Sequence, residues 1–455
     1  MNLTSMQPTL RKAALHRLFW RIHFWAGLIG APIVLFAAVT GLIYVVSPQV
    51  EAWRHAGLDH VAPSDARWTL DAQVDAVRAL HPDEAVRYVV PAHRPGDTTQ
   101  VYLRAAHEHH AGRGDHDHGL PTGSIVYLNP HTGEVLGQLP ELQRFKTWAK
   151  KLHSSALQGN AWRWVLELGA SWMLVLFATG LVLWWPRSQA RGGPGWRALW
   201  PTPGRGRRTW RDCHATVALA LGLVLAIVLV TGLTWARYSG ERFRVAQEAL
   251  GQATPRPEPA LRSTPLEGVT PLTWQQVHDR ARATAPDIAM QITPPQGPQG
   301  TWRVENFDRS QPEGRFTQVF DAYTGQTLFS VGWSEFPLLS RATAIGIPFH
   351  RGEFGVWNQV LLALAALAAV FSVVSGLMMW WLRRRPAAPQ TRRRLAAPPL
   401  SWSDVRQAPW WVWPLAAALG WALPVFGLSL VVLLGLEAMR LAWSPGRSRP
   451  HRLGA

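Results

Sequence analysis

One feature constrains this chain more than any other. It is a long apolar run with a single histidine at its basic end, and the chain carries it twice. Arg21 to Leu42 reads RIHFWAGLIGAPIVLFAAVTGL, and Arg211 to Leu233 reads RDCHATVALALGLVLAIVLVTGL. In each, Thr-Gly-Leu begins seventeen residues after the histidine: Thr40 after His23, Thr231 after His214. A helix rises about 1.5 Å per residue, so this spacing covers about 25 Å. The histidine then lies near one face of a bilayer core about 30 Å thick, and the Thr-Gly near the other. A second pair runs the opposite way. His153 lies 26 residues before Thr179 in FATGLVLWWPR, and His350 lies 25 before Ser375 in VVSGLMMWWLRR. A repeat of this length predicts a duplicated unit: helix, loop domain, helix, twice over.

The net charge of +17 over 455 residues raises the question of nucleic acid. The placement of the charge excludes it. Arg11, Lys12, Arg17 and Arg21 precede the first span; Arg187, Arg191, Arg197, Arg205, Arg207, Arg208 and Arg211 join the second to the third; Arg383–Arg385, Arg392–Arg394 and Arg406 follow the fourth. Short basic segments beside spans stay in the cytoplasm. The two intervening loops of about a hundred residues are then extracytoplasmic, and Trp184-Trp185 and Trp380-Trp381 mark the cytoplasmic interface. The first span is too long for a signal-peptide core and reads as a retained anchor. The single cysteine, Cys213, excludes disulfides within the chain, thiolate-held iron–sulfur clusters and CxxCH haem. No GxGxxG or P-loop is present and the cytoplasmic loops are short, so no NAD or flavin site is expected.

The expected order is a cytoplasmic N-terminus and first span (1–46), an outer domain (47–152), a second span (153–186), a basic loop (187–212), a third span (213–236), a second outer domain (237–349), a fourth span (350–382) and a basic loop (383–409). Residues 410–443 form a fifth hydrophobic element, interrupted by Pro414 and Pro424, and 444–455 a basic tail. The fifth element is either one kinked helix or a hairpin. Each outer domain predicts one helix (Leu70–Leu80; Thr273–Thr284) on an antiparallel sheet. Their turns, Asn129-Pro130-His131-Thr132-Gly133 and Asp321-Ala322-Tyr323-Thr324-Gly325, put glycine where φ must be positive. Thr254–Thr273 is a Pro-rich linker.

The duplicated histidine helices, the D/N-x-x-TG sheet domains and the TGL…WWPR helix ends resemble the PepSY-associated transmembrane family over residues 16–385. The resemblance implies an α-helical membrane protein: two repeats of helix, PepSY-like α+β domain and helix, forming a four-helix core, plus the C-terminal element. It points to iron-regulated bacterial inner-membrane proteins and ferric-siderophore reductases with two large periplasmic domains.

Histidines at the edge of a span tend to be functional. Two neutral imidazoles at equal depth on facing helices fit the two axial positions of a haem iron. His23 with His214 and His153 with His350 are therefore the expected ligands of two b-type haems. His16, seven residues before His23, is a rival ligand. Glu167, inside the second span, is either a group that bonds to a haem ligand or carries protons near the outer haem, or an ion-pair partner of Arg163. The loop carrying His107, His109, His110, His116 and His118 is a weak metal-binding candidate. The expected activity is electron transfer to a periplasmic ferric siderophore or chelate, releasing Fe²⁺, with a membrane quinol or a cytoplasmic reductase as separate donor. The alternative is a non-redox module that binds or regulates a periplasmic partner protein.

Overall fold

The computed structural model describes residues 3–105, 120–190, 206–384 and 400–443, with residues 200, 201, 204 and 398. The His-rich loop (His107, His109, His110, His116, His118), most of the two basic loops and the tail 444–455 lie outside the described residues.

The chain runs as follows. Helices α1 (Leu3–Val45), α2 (Ser47–Arg54), α3 (Ala56–Asp59) and α4 (Leu70–Leu80) lead into strands β1 (Glu84–Val90), β2 (Thr99–Ala105), β3 (Ser124–Leu128) and β4 (Val135–Pro140). Helices α5 (Phe145–Ser155) and α6 (Arg163–Ala190) close the first repeat. The second repeat has α7 (Arg207–Leu233), α8 (Ser239–Ala249), α9 (Trp274–Thr284), β5 (Met290–Thr293), β6 (Thr301–Asn306), β7 (Phe316–Asp321), β8 (Thr327–Gly332), α10 (Leu338–His350) and α11 (Val356–Arg384). Then come α12 (Trp402–Gln407), α13 (Val412–Ala422) and α14 (Pro424–Ala442). Four helical segments are long and apolar enough to cross a membrane: Ala13–Val45, Asn160–Trp185, Arg207–Leu233 and Val356–Arg384. The protein is a multi-pass helical membrane protein with an α+β portion.

Two compact units share the chain. Residues 1–42, 162–246 and 360–455 form a helical unit, and residues 43–161 and 247–359 form a sheet unit. The expectation of two separate outer domains, 47–152 and 237–349, is corrected here. Both halves build one eight-stranded antiparallel sheet, ordered β4-β3-β2-β1-β5-β6-β7-β8. The first strand of each half would be an exposed edge on its own, and edges invite pairing. Here β1 pairs β5, with Val89 opposite Ile292.

Strand alternation explains the layers. Val89, Val101, Leu103, Val126 and Leu128 face a core shared with Leu70, Val74 and Val77 of α4 and with Val277, Ile292 and Val304 of the second half. Val90, Tyr102, Ile125 and Tyr127 face the other side. The two helices begin alike. Thr69 caps α4 by accepting from Ala72 N, and Thr273 forms a capping box with Gln276. They also cap each other. Asp71 accepts from Trp274 N (2.8 Å) and Gln275 N (3.2 Å), while Gln275 Oε1 accepts from Leu70 N at 2.9 Å. Both predicted turns hold their glycines in the left-handed region, Gly133 at φ 75° and Gly325 at φ 70°.

The C-terminal element is a hairpin. Leu423 precedes Pro424, whose ring disfavours helix in the residue before it; Leu423 leaves the helical region at φ −122°, ψ 78°. The chain turns back there, and Gly420 and Gly427 meet backbone to backbone, so a Cβ on Gly427 would lie 2.8 Å from Gly420 Cα. Trp172 Nε1 donates to Ser429 Oγ (2.9 Å), and Arg21 pairs with Glu437 (2.8 Å), tying α14 to α6 and α1.

Asp71→Ala should lower the unfolding free energy of the sheet unit by about 1–2 kcal/mol, the usual loss for an N-terminal cap. Asp75→Ala, which removes only an exposed pair with Arg78, should change it little. Thermal unfolding followed by circular dichroism reads the difference. Equal midpoints for the two variants would sink the reciprocal-cap account.

Candidate functional site

The four long helices meet where Val34 and Ala38 of α1, Met173 of α6, Leu225 of α7 and Ala369 of α11 pack together. Beside that packing lies a cavity of about 320 Å³ walled by the same four helices. Its lining is largely apolar, including Phe24, Leu28, Phe177 and Leu225. His16, His23 and His214 also line it, as do Trp20, Trp184, Trp380, Arg207, Arg211 and Arg383. The volume falls at the low end of ligand pockets, about 300–1,000 Å³.

His23 and His214 come together, with ring centroids 6.3 Å apart and planes at 83°. Each is held by a hydroxyl from the other long helix of its own repeat. His23 Nδ1 lies 3.0 Å from Thr179 Oγ1, and His214 Nδ1 lies 2.8 Å from Ser375 Oγ. Both hydroxyls already donate their one proton within the helix, Thr179 to Val175 O and Ser375 to Phe371 O, each at 2.7 Å. Towards the imidazole each oxygen can therefore only accept. So Nδ1 carries the proton in both rings, and Nε2 holds the lone pair. Two imidazoles fixed in this tautomer within an apolar cavity are equipped to ligate a metal from two sides.

Thr179 and Ser375 were legible as repeat markers, since both precede Gly-Leu near a Trp pair. Their bond to the histidines was not legible, because it joins residues 156 and 161 positions apart. Glycine shapes the same region. A Cβ on Gly222 would meet the Phe177 ring at 2.1 Å, and one on Gly180 would meet His23 Cε1 at 3.3 Å. The first position has no room for any side chain while Phe177 keeps its place.

His16 lines the cavity as well, one helical face with His23, but it has no place in the hydroxyl-braced pair. His153 and His350 are not on the spans. The expected boundaries 153–186 and 350–382 start too early. His153 is in the last turn of α5, which stops where Ala156 and Leu157 take positive φ; His350 ends α10. Both are half-buried in the sheet unit, at matched positions of the two repeats.

Glu167 has a role that neither expectation gave it. It is 2% exposed, and its carboxylate accepts from Tyr238 N (3.0 Å) and Ser239 N (2.7 Å). It caps the start of α8, where unpaired N–H groups and the helix dipole favour an anion. Arg163 meanwhile donates to Trp235 O at 2.8 Å. Among the described residues, no group of three or more His, Cys, Asp or Glu is placed to hold a metal ion.

The chain belongs to the family described as the PepSY-associated TM region, whose model matches residues 20–383. The match takes in most of α1, all of α6 and α7, nearly all of α11, and every strand of the sheet, and it ends before the C-terminal hairpin. No curated protein matches the chain.

Glu167→Ala should destabilise the helical unit by about 1–3 kcal/mol, because two N–H groups lose their acceptor. Glu167→Gln keeps one acceptor oxygen and should lose less than half of that. Comparison of the two midpoints by thermal unfolding in detergent decides it; a Gln variant as damaged as the Ala variant would mean that the charge, not the cap, matters.

Proposed function

We propose that this member of the PepSY-associated membrane family is a haem b protein of the bacterial inner membrane that passes electrons outward to a ferric chelate, with His23 and His214 as the residues that would hold one haem. One observation carries the reading: a pair of imidazoles, braced so that both Nε2 lone pairs are unspent, in an apolar cavity. The separation fits. Two imidazole–metal bonds of about 2 Å each, plus half of each ring, span about 6 Å between ring centres; the observed value is 6.3 Å.

Bound there, a haem supplies reversible one-electron chemistry between Fe(III) and Fe(II). The chain's own residues do the rest. Thr179 and Ser375 hold the two imidazoles and, by accepting from Nδ1–H, make Nε2 a stronger donor. Phe24, Leu28 and Phe177 keep water from the cavity. Arg207 and Arg383 line it too, and their charge matches the two carboxylates of a b-type haem. A second haem, on His153 and His350, remains part of the proposal and rests on their matched half-buried positions. A quinol donor gives up two electrons and two protons. Two ferric chelates take one electron each, and two Fe²⁺ ions leave. A purely partner-binding module gives the braced imidazole pair no task.

Absorption spectra of detergent-purified protein, oxidised and dithionite-reduced, test this. His23→Ala and His214→Ala should each remove the same haem, and the double variant should lose no more than either single one. Thr179→Val should weaken haem retention about 10- to 100-fold, the usual effect of losing such a partner, and Thr179→Ser should restore it. A colourless, folded protein refutes the reading, as does full haem content in both histidine variants.

A further inference from the structure

The sheet unit gathers cations at a second place. Lys146, Lys150 and Lys151 come from α5, Arg309 and Arg315 from the connection between β6 and β7, and Arg351 from just after α10. They feel one another: the charges acting on Lys150 are those of Arg351, Lys151, Arg309 and Lys146, and the cations acting on Arg315 are Arg309 and Arg351. The nearby acids are largely committed. Glu353 Oε1 takes both Lys146 (3.2 Å) and Arg351 (2.9 Å), leaving Oε2 unclaimed, and Glu305 takes Arg303 (2.7 Å). The cations of this patch outnumber the acids that pair with them.

Two of the six have donors with nothing to bond. Nε and Nη2 of Arg315 are buried without a partner. Among the described residues, Lys150 Nζ has no hydrogen bond or ion pair. Buried guanidinium donors left unpaired, as in Arg315, are costly, and a bound ion is one explanation for them. Guanidinium forks match planar or tetrahedral oxyanions bidentately.

We propose that Lys150, Arg309, Arg315 and Arg351 form a binding site for a small multivalent oxyanion, a soluble ligand with clustered carboxylate or phosphate groups. The site needs only the sheet unit and stands without the haem. Lys150 lies one turn before His153 on α5, and Arg351 follows His350. On the reductase reading, and resting on it, an anionic oxygen-rich ligand held here sits beside the two outer histidines.

Full-length protein in detergent is titrated calorimetrically with citrate and with inorganic phosphate, and pulled down on nanodiscs with and without phosphatidylglycerol. Citrate should bind and raise the unfolding midpoint. Lys150→Gln and Arg315→Gln should each weaken citrate binding about tenfold or more, as loss of a charge-assisted bond does. Both variants should be no less stable than the native chain without ligand, since each removes an uncompensated charge. Burial and the neighbouring Arg351, Lys151, Arg309 and Lys146 push the Lys150 amine down to about 8. Citrate binding should therefore weaken as pH rises from 7 to 9 and Lys150 loses its proton, and Lys150→Gln should lack that dependence. The haem spectrum, read on the same samples, should be unchanged by either substitution, so the two proposals fail separately. Absence of citrate and phosphate binding overturns the site. So does citrate affinity that both variants leave intact, and so does binding confined to phosphatidylglycerol nanodiscs.

Discussion

A histidine inside a bundle of apolar helices must find a use for both ring nitrogens, because no water is there to take them. The helical unit solves half of that problem from within. Each imidazole gives its Nδ1–H to a hydroxyl that has already given its own proton to the helix carbonyl one turn back. The bond selects the tautomer, fixes the ring and ties the two long helices of a repeat together at one depth. The remaining nitrogen, Nε2, is what the cavity between the helices has to answer. The small residues around it, Gly180 and Gly222 above all, allow His23 and Phe177 to pack against neighbouring backbone.

The sheet unit shows the same economy of duplication. A four-stranded half with one helix leaves an open edge at its first strand. Joining β1 to the equivalent β5 closes both edges with a single antiparallel seam. Equivalent helices then meet at their N-termini, and Asp71 and Gln275 each supply an acceptor that the other helix lacks. On the helix-covered face the two halves share one core, in which Val89, Val101 and Val126 pack with Val277, Ile292 and Val304.

Two of the buried charges in the described residues find partners that lie far from them in sequence. Glu167 is four residues from Arg163, the spacing of a helical ion pair, yet it binds backbone N–H groups at the start of α8. Arg144 lies between Asp59, bonded at 2.8 and 3.0 Å, and Glu51, with the Tyr127 ring beneath it.

The sequence alone determined what depends on local composition and period. Apolar runs of bilayer length set the four spans. The histidine-to-Thr-Gly spacing set the duplication and put His23 and His214 at one depth. Glycines in the Asn129–Gly133 and Asp321–Gly325 segments set the turns. Tertiary structure decided whatever depends on residues far apart in the chain. It joined the two sheets at Val89 and Ile292, folded 410–443 into a hairpin across Gly420 and Gly427, moved His153 and His350 onto short helices of their own, and gave Thr179 and Ser375 their imidazole partners. Periodicity along a chain reports which face a residue occupies. A hydrogen bond between helices depends on their rotation and separation, which only the packing of the whole unit fixes.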